Sequence, residues 1–209
     1  MLPDELAQRW ASLLRACGVA AEAAAPHLDA LVSAYREPHR AYHDLEHLAH
    51  VFAELDGVPL WNPAVEWATW YHDAVYRPRK RDNERRSAAL ARATLEQLGL
   101  ENLAPRVVQL IEATATHHAR SDDTAARSFL DADMAILGAD PAAYRRYVLG
   151  IRREHRGIPD FMYARGRRHF LRDVLARPSI FASDHFRTRY ERRARENLQS
   201  ELAQLDGQE

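Results

Sequence analysis

Cysteine occurs once in the 209 residues, at Cys17, so no disulfide can form within the chain. Position 17 falls on the apolar stripe of a predicted helix, where a lone thiol serves as a small core residue. A chain without disulfides suits a reducing compartment, and a cytoplasmic location is the expectation. No apolar run approaches the ~20 residues that span a bilayer, so no membrane segment is expected. The opening Met1-Leu2-Pro3-Asp4-Glu5 has neither the basic nor the apolar stretch of an export signal. Gly/Ser-rich linkers and internal repeats are missing too. One domain over 1–209 is therefore expected, long enough to bury a full core. Residues 1–140 would form its core, and residues 141–209 a helical extension packed on it. Lysine also occurs once, against 28 arginines, a bias we read as compositional.

The net charge of −1 hides an uneven distribution. Residues 1–140 hold 14 basic and 21 acidic side chains, whereas residues 141–195 hold 15 arginines and 5 acids. A basic third suits an anionic ligand, or it is a set of solvated helix faces paired with the acidic part. The arginines are spread over several predicted helices, which argues against a nucleic-acid interface.

Helical periodicity dominates, and no strand pattern is present, so the fold class is all-α. Leu6, Trp10, Leu13, Leu14 and Cys17 form one stripe, stopped by Gly18 and with Pro3 suited to its first turn. Further helices are predicted over about 23–35, 42–55, 64–75 and 126–137, from Pro141 to about His155, and over 160–176 and 183–205. Another starts at Asn83, read as its cap, and stops at Gly99. One more carries Val107, Leu110, Ile111 and Thr114.

Eleven histidines are present, and their placement matters more than their number. His43 and His47 lie four apart, on one face of a predicted helix. His72 and Asp73 sit side by side within an apolar, aromatic helix. Asp131 and Asp133 sit within the apolar run 129–137. A buried carboxylate is costly unless it is paired or binds a metal. These segments contain no buried base to pair with, so three helices bring metal-type ligands to faces expected to be core. Asp131, two residues from Asp133, points elsewhere on a helix and is expected either to support the ligands from behind or to be structural.

The ordered set His47-Leu48-Ala49-His50-Val51, His72-Asp73 and Ala132-Asp133 resembles the signature of HD-domain metal-dependent phosphohydrolases. Finer similarity to a bacterial subgroup runs through Arg40-Ala41-Tyr42-His43, Tyr71 to Tyr76, Asn83-Glu84 with Ser87-Ala88, and Phe129 to Asp133. It continues into Tyr163, Gly166-Arg167 and Arg195-Glu196-Asn197-Leu198. The resemblance implies an HD-type helical bundle with His47, His72, Asp73 and Asp133 as metal ligands. His43 and His47 both suit the first ligand position; the family's spacing to the valine favours His47, leaving His43 as a substrate contact. His117 lies where some members hold a second ion; one ion is the expectation, with His117 in the pocket.

Two imidazoles and two carboxylates suit Mn, Fe, Co, Ni or Mg with open positions, and Zn is compatible. The expected activity is hydrolysis of a small phosphorylated molecule such as a nucleotide by metal-activated water. Asp73 would bind the ion and orient the water. Glu84 is a candidate general acid or base, or simply a first-turn carboxylate favoured by the helix dipole. Arg40 and Arg167 are candidate phosphate contacts, since arginine's forked donors match phosphate oxygens. The tyrosines are expected to pack rather than stack on a base. A metal-stabilised ligand sensor without turnover and a two-iron oxygenase of the same fold are the competing expectations.

Overall fold

The helix of residues Pro63–Tyr71 is apolar apart from Glu66 and Thr69, and such a helix belongs at the centre. In the computed structural model, which describes residues 4–59 and 61–207, it does. The described chain is all-helical, with ten α-helices and no strand. They are α1 (Asp4–Cys17), α2 (Ala21–Tyr35), α3 (Leu45–Asp56), α4 (Pro63–Tyr71), α5 (Asn83–Gln97), α6 (Ala104–Ala113), α7 (Thr124–Met134), α8 (Pro141–Glu154), α9 (Asp160–Leu175) and α10 (Asp184–Asp206). A 3-10 turn, Ala135–Gly138, follows α7. The place expected for Pro3 lies outside the described residues.

Helix α4 packs against α1, α3, α5, α6 and α7. Trp67 and Trp70 are fully buried, and the Trp10 ring meets both edge-on at 5.3 and 5.0 Å. Its one acid, Glu66, is buried and takes a two-pronged hydrogen bond from Arg9, at 2.8 and 2.6 Å. Helices α8 and α10 pack on the 3-10 turn, and α9 packs on α10. Gly138 lets α10 approach: a Cβ there would lie 2.6 Å from the Tyr190 Cβ and 2.8 Å from its carbonyl oxygen. Gly99, at φ 71°, ends α5 in the left-handed conformation that glycine adopts freely.

Two helices are shorter than their sequence periodicity predicts, and both differences shape the site. Helix α3 begins at Leu45, not Tyr42. The backbone N–H groups of Ala41, Tyr42 and His43 all donate to Glu154 Oε1, at 2.8–2.9 Å, so that segment has no need of helical partners. Asp44 then caps the helix by accepting from the Glu46 and His47 N–H groups. Helix α4 ends at Tyr71, not Val75. The freed carbonyls of Asp73 and Ala74 accept from Arg40, and Ser87 bonds both the N–H and the carbonyl of Val75. Asn83 does not cap α5; it is the first residue of that helix, and its side-chain amide bonds the N–H and carbonyl of Arg77. In each place a distant side chain offers the backbone partners that a further helical turn would have supplied.

Candidate metal centre

Four side chains from three segments converge at one point. His47 projects from the first turn of α3, His72 and Asp73 from the end of α4, and Asp133 from the last turn of α7. The Nε2 atoms of His47 and His72 lie 3.1 Å apart. Asp133 Oδ1 is 3.2 Å from His47 Nε2 and 3.6 Å from His72 Nε2. Asp73 Oδ2 is 3.2 Å from His72 Nε2 and 3.6 Å from His47 Nε2. Metal–ligand bonds of about 2.0–2.2 Å put neighbouring ligand atoms about 3.0–3.4 Å apart. His47, His72 and Asp133 therefore form a cluster able to hold a metal ion, and Asp73 Oδ2 stands beside it as a fourth candidate ligand atom.

The hydrogen-bonding pattern fits the same use. His72 Nδ1 lies 2.8 Å from the Thr69 carbonyl, which can only accept. The proton is thereby fixed on Nδ1, leaving Nε2 as the ligand atom. The electrostatics point the same way. Burial lowers the His72 pKa, but Asp73 and Asp133 outweigh it and push it up to about 9. Burial raises Asp73, yet His72 and His43 hold its carboxyl well below the usual range. Asp133 is likewise opposed by burial and held down by hydrogen bonds from His117 and His47. Buried negative charge of this kind is what a cation neutralises.

A cavity of about 270 Å³ opens on the carboxylate side of the cluster. His43, Asp73, Glu84, His117 and Asp133 line it, with Arg177 from the segment after α9. His117 Nε2 lies 3.0 Å from Asp133 Oδ2. Its backbone is left-handed, at φ 50°, a conformation that costs a non-glycine residue of order 1 kcal/mol. Glu84 stands in the first turn of α5, partly exposed.

His43 is not part of the metal cluster. Because α3 starts two residues later, it does not share a helix face with His47. Its Nδ1 bonds Glu154 Oε2 at 2.7 Å, and its ring stacks on Tyr76 with centroids 4.2 Å apart. Burial lowers its pKa, but Asp73 and the Glu154 hydrogen bond outweigh that and raise it. Glu154 shows the reverse: burial raises it, while His43 and the N–H groups of Ala41 and His43 bring it down to about 2.

Neither arginine expected to contact phosphate reaches the cavity. The Arg40 side chain is fully buried, and its donors go to the carbonyls of His43, Asp73 and Ala74 and to Glu37. It ties the two ligand-bearing loops together. Arg167 makes a two-pronged hydrogen bond to Glu201, at 2.7 and 3.0 Å, and donates to the Tyr147 hydroxyl. It joins α9 to α10 and α8. Asp131 accepts from the N–H groups of Ala182 and Ser183 ahead of α10, at 2.8 and 2.7 Å, in keeping with a structural role.

Two residues were missed from sequence. Glu154 carried a signal: an acid in the last turn of a helix opposes the dipole and calls for a partner. Arg177 carried none that separated it from the surrounding arginines. Among the described residues no helix is long and apolar enough to cross a membrane. No protein-family model matches this chain, and no curated protein or solved structure is significantly similar to it.

Proposed function

We propose that the protein is a metal-dependent phosphohydrolase of the HD type, acting on a small phosphorylated molecule such as a nucleotide. The observation that carries this reading is the convergence of two imidazoles and two carboxylates at the mouth of a cavity that also holds Glu84, His117 and Arg177. His47, His72, Asp73 and Asp133 would hold the ion. A divalent cation bound there supplies a water of lowered pKa and polarises a phosphoryl group. Glu84, partly exposed at the cavity wall, would take or return a proton as general base or acid. Arg177 provides the guanidinium that Arg40 and Arg167 do not. His43, oriented by Glu154 and Tyr76, presents its free Nε2 edge to the substrate side.

The test is turnover of a panel of nucleotides and sugar phosphates by protein loaded with Mn²⁺, Co²⁺ or Mg²⁺. Asp73→Asn should abolish any activity found while the chain remains folded. No turnover of any compound by the loaded wild type would overturn the reading. A two-iron oxygenase gains support from one contact, His117 against the second oxygen of Asp133. Two irons per chain by metal analysis would decide in its favour.

A further inference from the structure

The metal cluster separates two cavities, and the larger is not the one considered so far. A cavity of about 930 Å³ lies on the far side of His47, between α3, α8 and α10. Tyr42, Ile136 and Tyr147 form the wall it shares with the smaller cavity. That volume falls at the upper end of the range usual for small-molecule sites.

Its chemistry is divided by depth. Four arginines rim it: Arg146 and Arg153 from α8, Arg189 and Arg193 from α10. Arg189 is committed to Glu54, at 3.5 Å. Arg146, Arg153 and Arg193 are exposed and make no close ion pair or hydrogen bond, although Arg146 and Arg193 act on Asp140 at longer range. The nearby acids are mostly occupied. Asp44 and Asp140 cap α3 and α8, and Glu54 accepts from the Tyr190 hydroxyl. Glu46 is exposed at the edge. Deeper in, the walls are aromatic and aliphatic. Three buried polar atoms there, the Tyr42 hydroxyl, His47 Nδ1 and His50 Nε2, have no protein partner. Buried polar atoms cost stability unless something bonds them.

We propose that this cavity is a binding site for an organic diphosphate, a compound with a flat body and two phosphate groups. The body fits between Tyr42, Ile136 and Tyr147. The phosphates meet Arg153 on one wall and Arg193 on the other, with Arg146 beside them. Guanidiniums on two helices suit a pair of phosphate groups, one for each wall, better than a single phosphate. The site is distinct from the smaller cavity and does not depend on the hydrolase reading.

The experiment is calorimetric titration of the full chain with ADP, inorganic pyrophosphate and adenosine. It is run on chelator-treated protein, so that turnover cannot interfere and failure of the hydrolase reading leaves the result intact. ADP should bind more tightly than either pyrophosphate or adenosine. Arg153→Ala and Arg193→Ala should each weaken ADP about tenfold, the size of one lost charged hydrogen bond. Both side chains are exposed, and circular dichroism should show the variants folded. Arg192→Ala, exposed on α10 and turned to Glu196, should leave ADP affinity unchanged. Three results would overturn the proposal: no binding of any probe at about 1 mM, the weak end of specific affinity; adenosine binding as well as ADP; or loss of ADP binding in Arg192→Ala but not in Arg193→Ala.

Discussion

Replacing Glu154 with glutamine tests how the chain beyond residue 141 holds the loop in front of α3. One carboxylate there serves five donors. Its Oε1 accepts from three consecutive backbone N–H groups, and its Oε2 accepts from His43 Nδ1 and the Tyr76 hydroxyl. The amide keeps an acceptor for the three N–H groups but turns an NH₂ toward His43 and Tyr76, which also donate. The magnitude follows from the pKa. A carboxyl held at about 2 against 4.5 is shifted by about 2.5 units, or roughly 3 kcal/mol of folding free energy. Because the folded value is depressed, that stability is complete above pH 4.5 and is lost as pH falls toward 2. Guanidinium unfolding of wild type and Glu154→Gln should therefore differ by about 3 kcal/mol at pH 7. The gap should shrink to roughly 1.4 kcal/mol at pH 3, one unit above the folded pKa. A difference below about 1 kcal/mol at pH 7, or one that does not change with pH, would refute the reasoning.

Further predictions concern the ligands and the docking of α10. Mn²⁺ should raise the melting temperature of the wild type, since it binds only the folded chain, and His72→Ala should remove that increase. Gly138→Ala forces a Cβ against Tyr190 and should cost about 1–3 kcal/mol in chemical denaturation; an unchanged midpoint would mean that α10 shifts freely. Asp131→Asn takes a charged acceptor from the Ala182 and Ser183 N–H groups. Their hydrogen exchange should quicken, with about 1–2 kcal/mol of stability lost.

The helices were legible wherever one face met the core. Leu6, Trp10, Leu13 and Leu14 are all buried on the stripe that their spacing predicts. The reading failed at Tyr42–Asp44 and His72–Val75. There the outcome depends on Glu154, Arg40 and Ser87, and local periodicity carries no information about partners so distant in sequence. The convergence of His47, His72 and Asp133 was legible because carboxylates and imidazoles in apolar segments need a compensating charge. The roles of the arginines were not. Arg40 and Arg167 have the right chemistry for phosphate, but Asp73 and Ala74 lie more than 30 residues beyond Arg40 and Glu201 lies 34 beyond Arg167, and these use the donors first. Arg177 gives only Nη2 to a distant partner, the Thr116 carbonyl at 3.3 Å, and is the one left at the cavity.

Asp131 and Asp133 stand two residues apart on the same turn of α7, facing opposite ways. One belongs to the metal cluster; the other grips the start of α10 through two backbone N–H groups. A single rigid turn thus sets both the ligand and the helix that bears Arg189 and Arg193. A displacement of α10 would be felt at Asp133 without any substitution near the metal centre. Variants that disturb the candidate metal centre should accordingly be sought along the buried face of α10 as well as among His47, His72, Asp73 and Asp133.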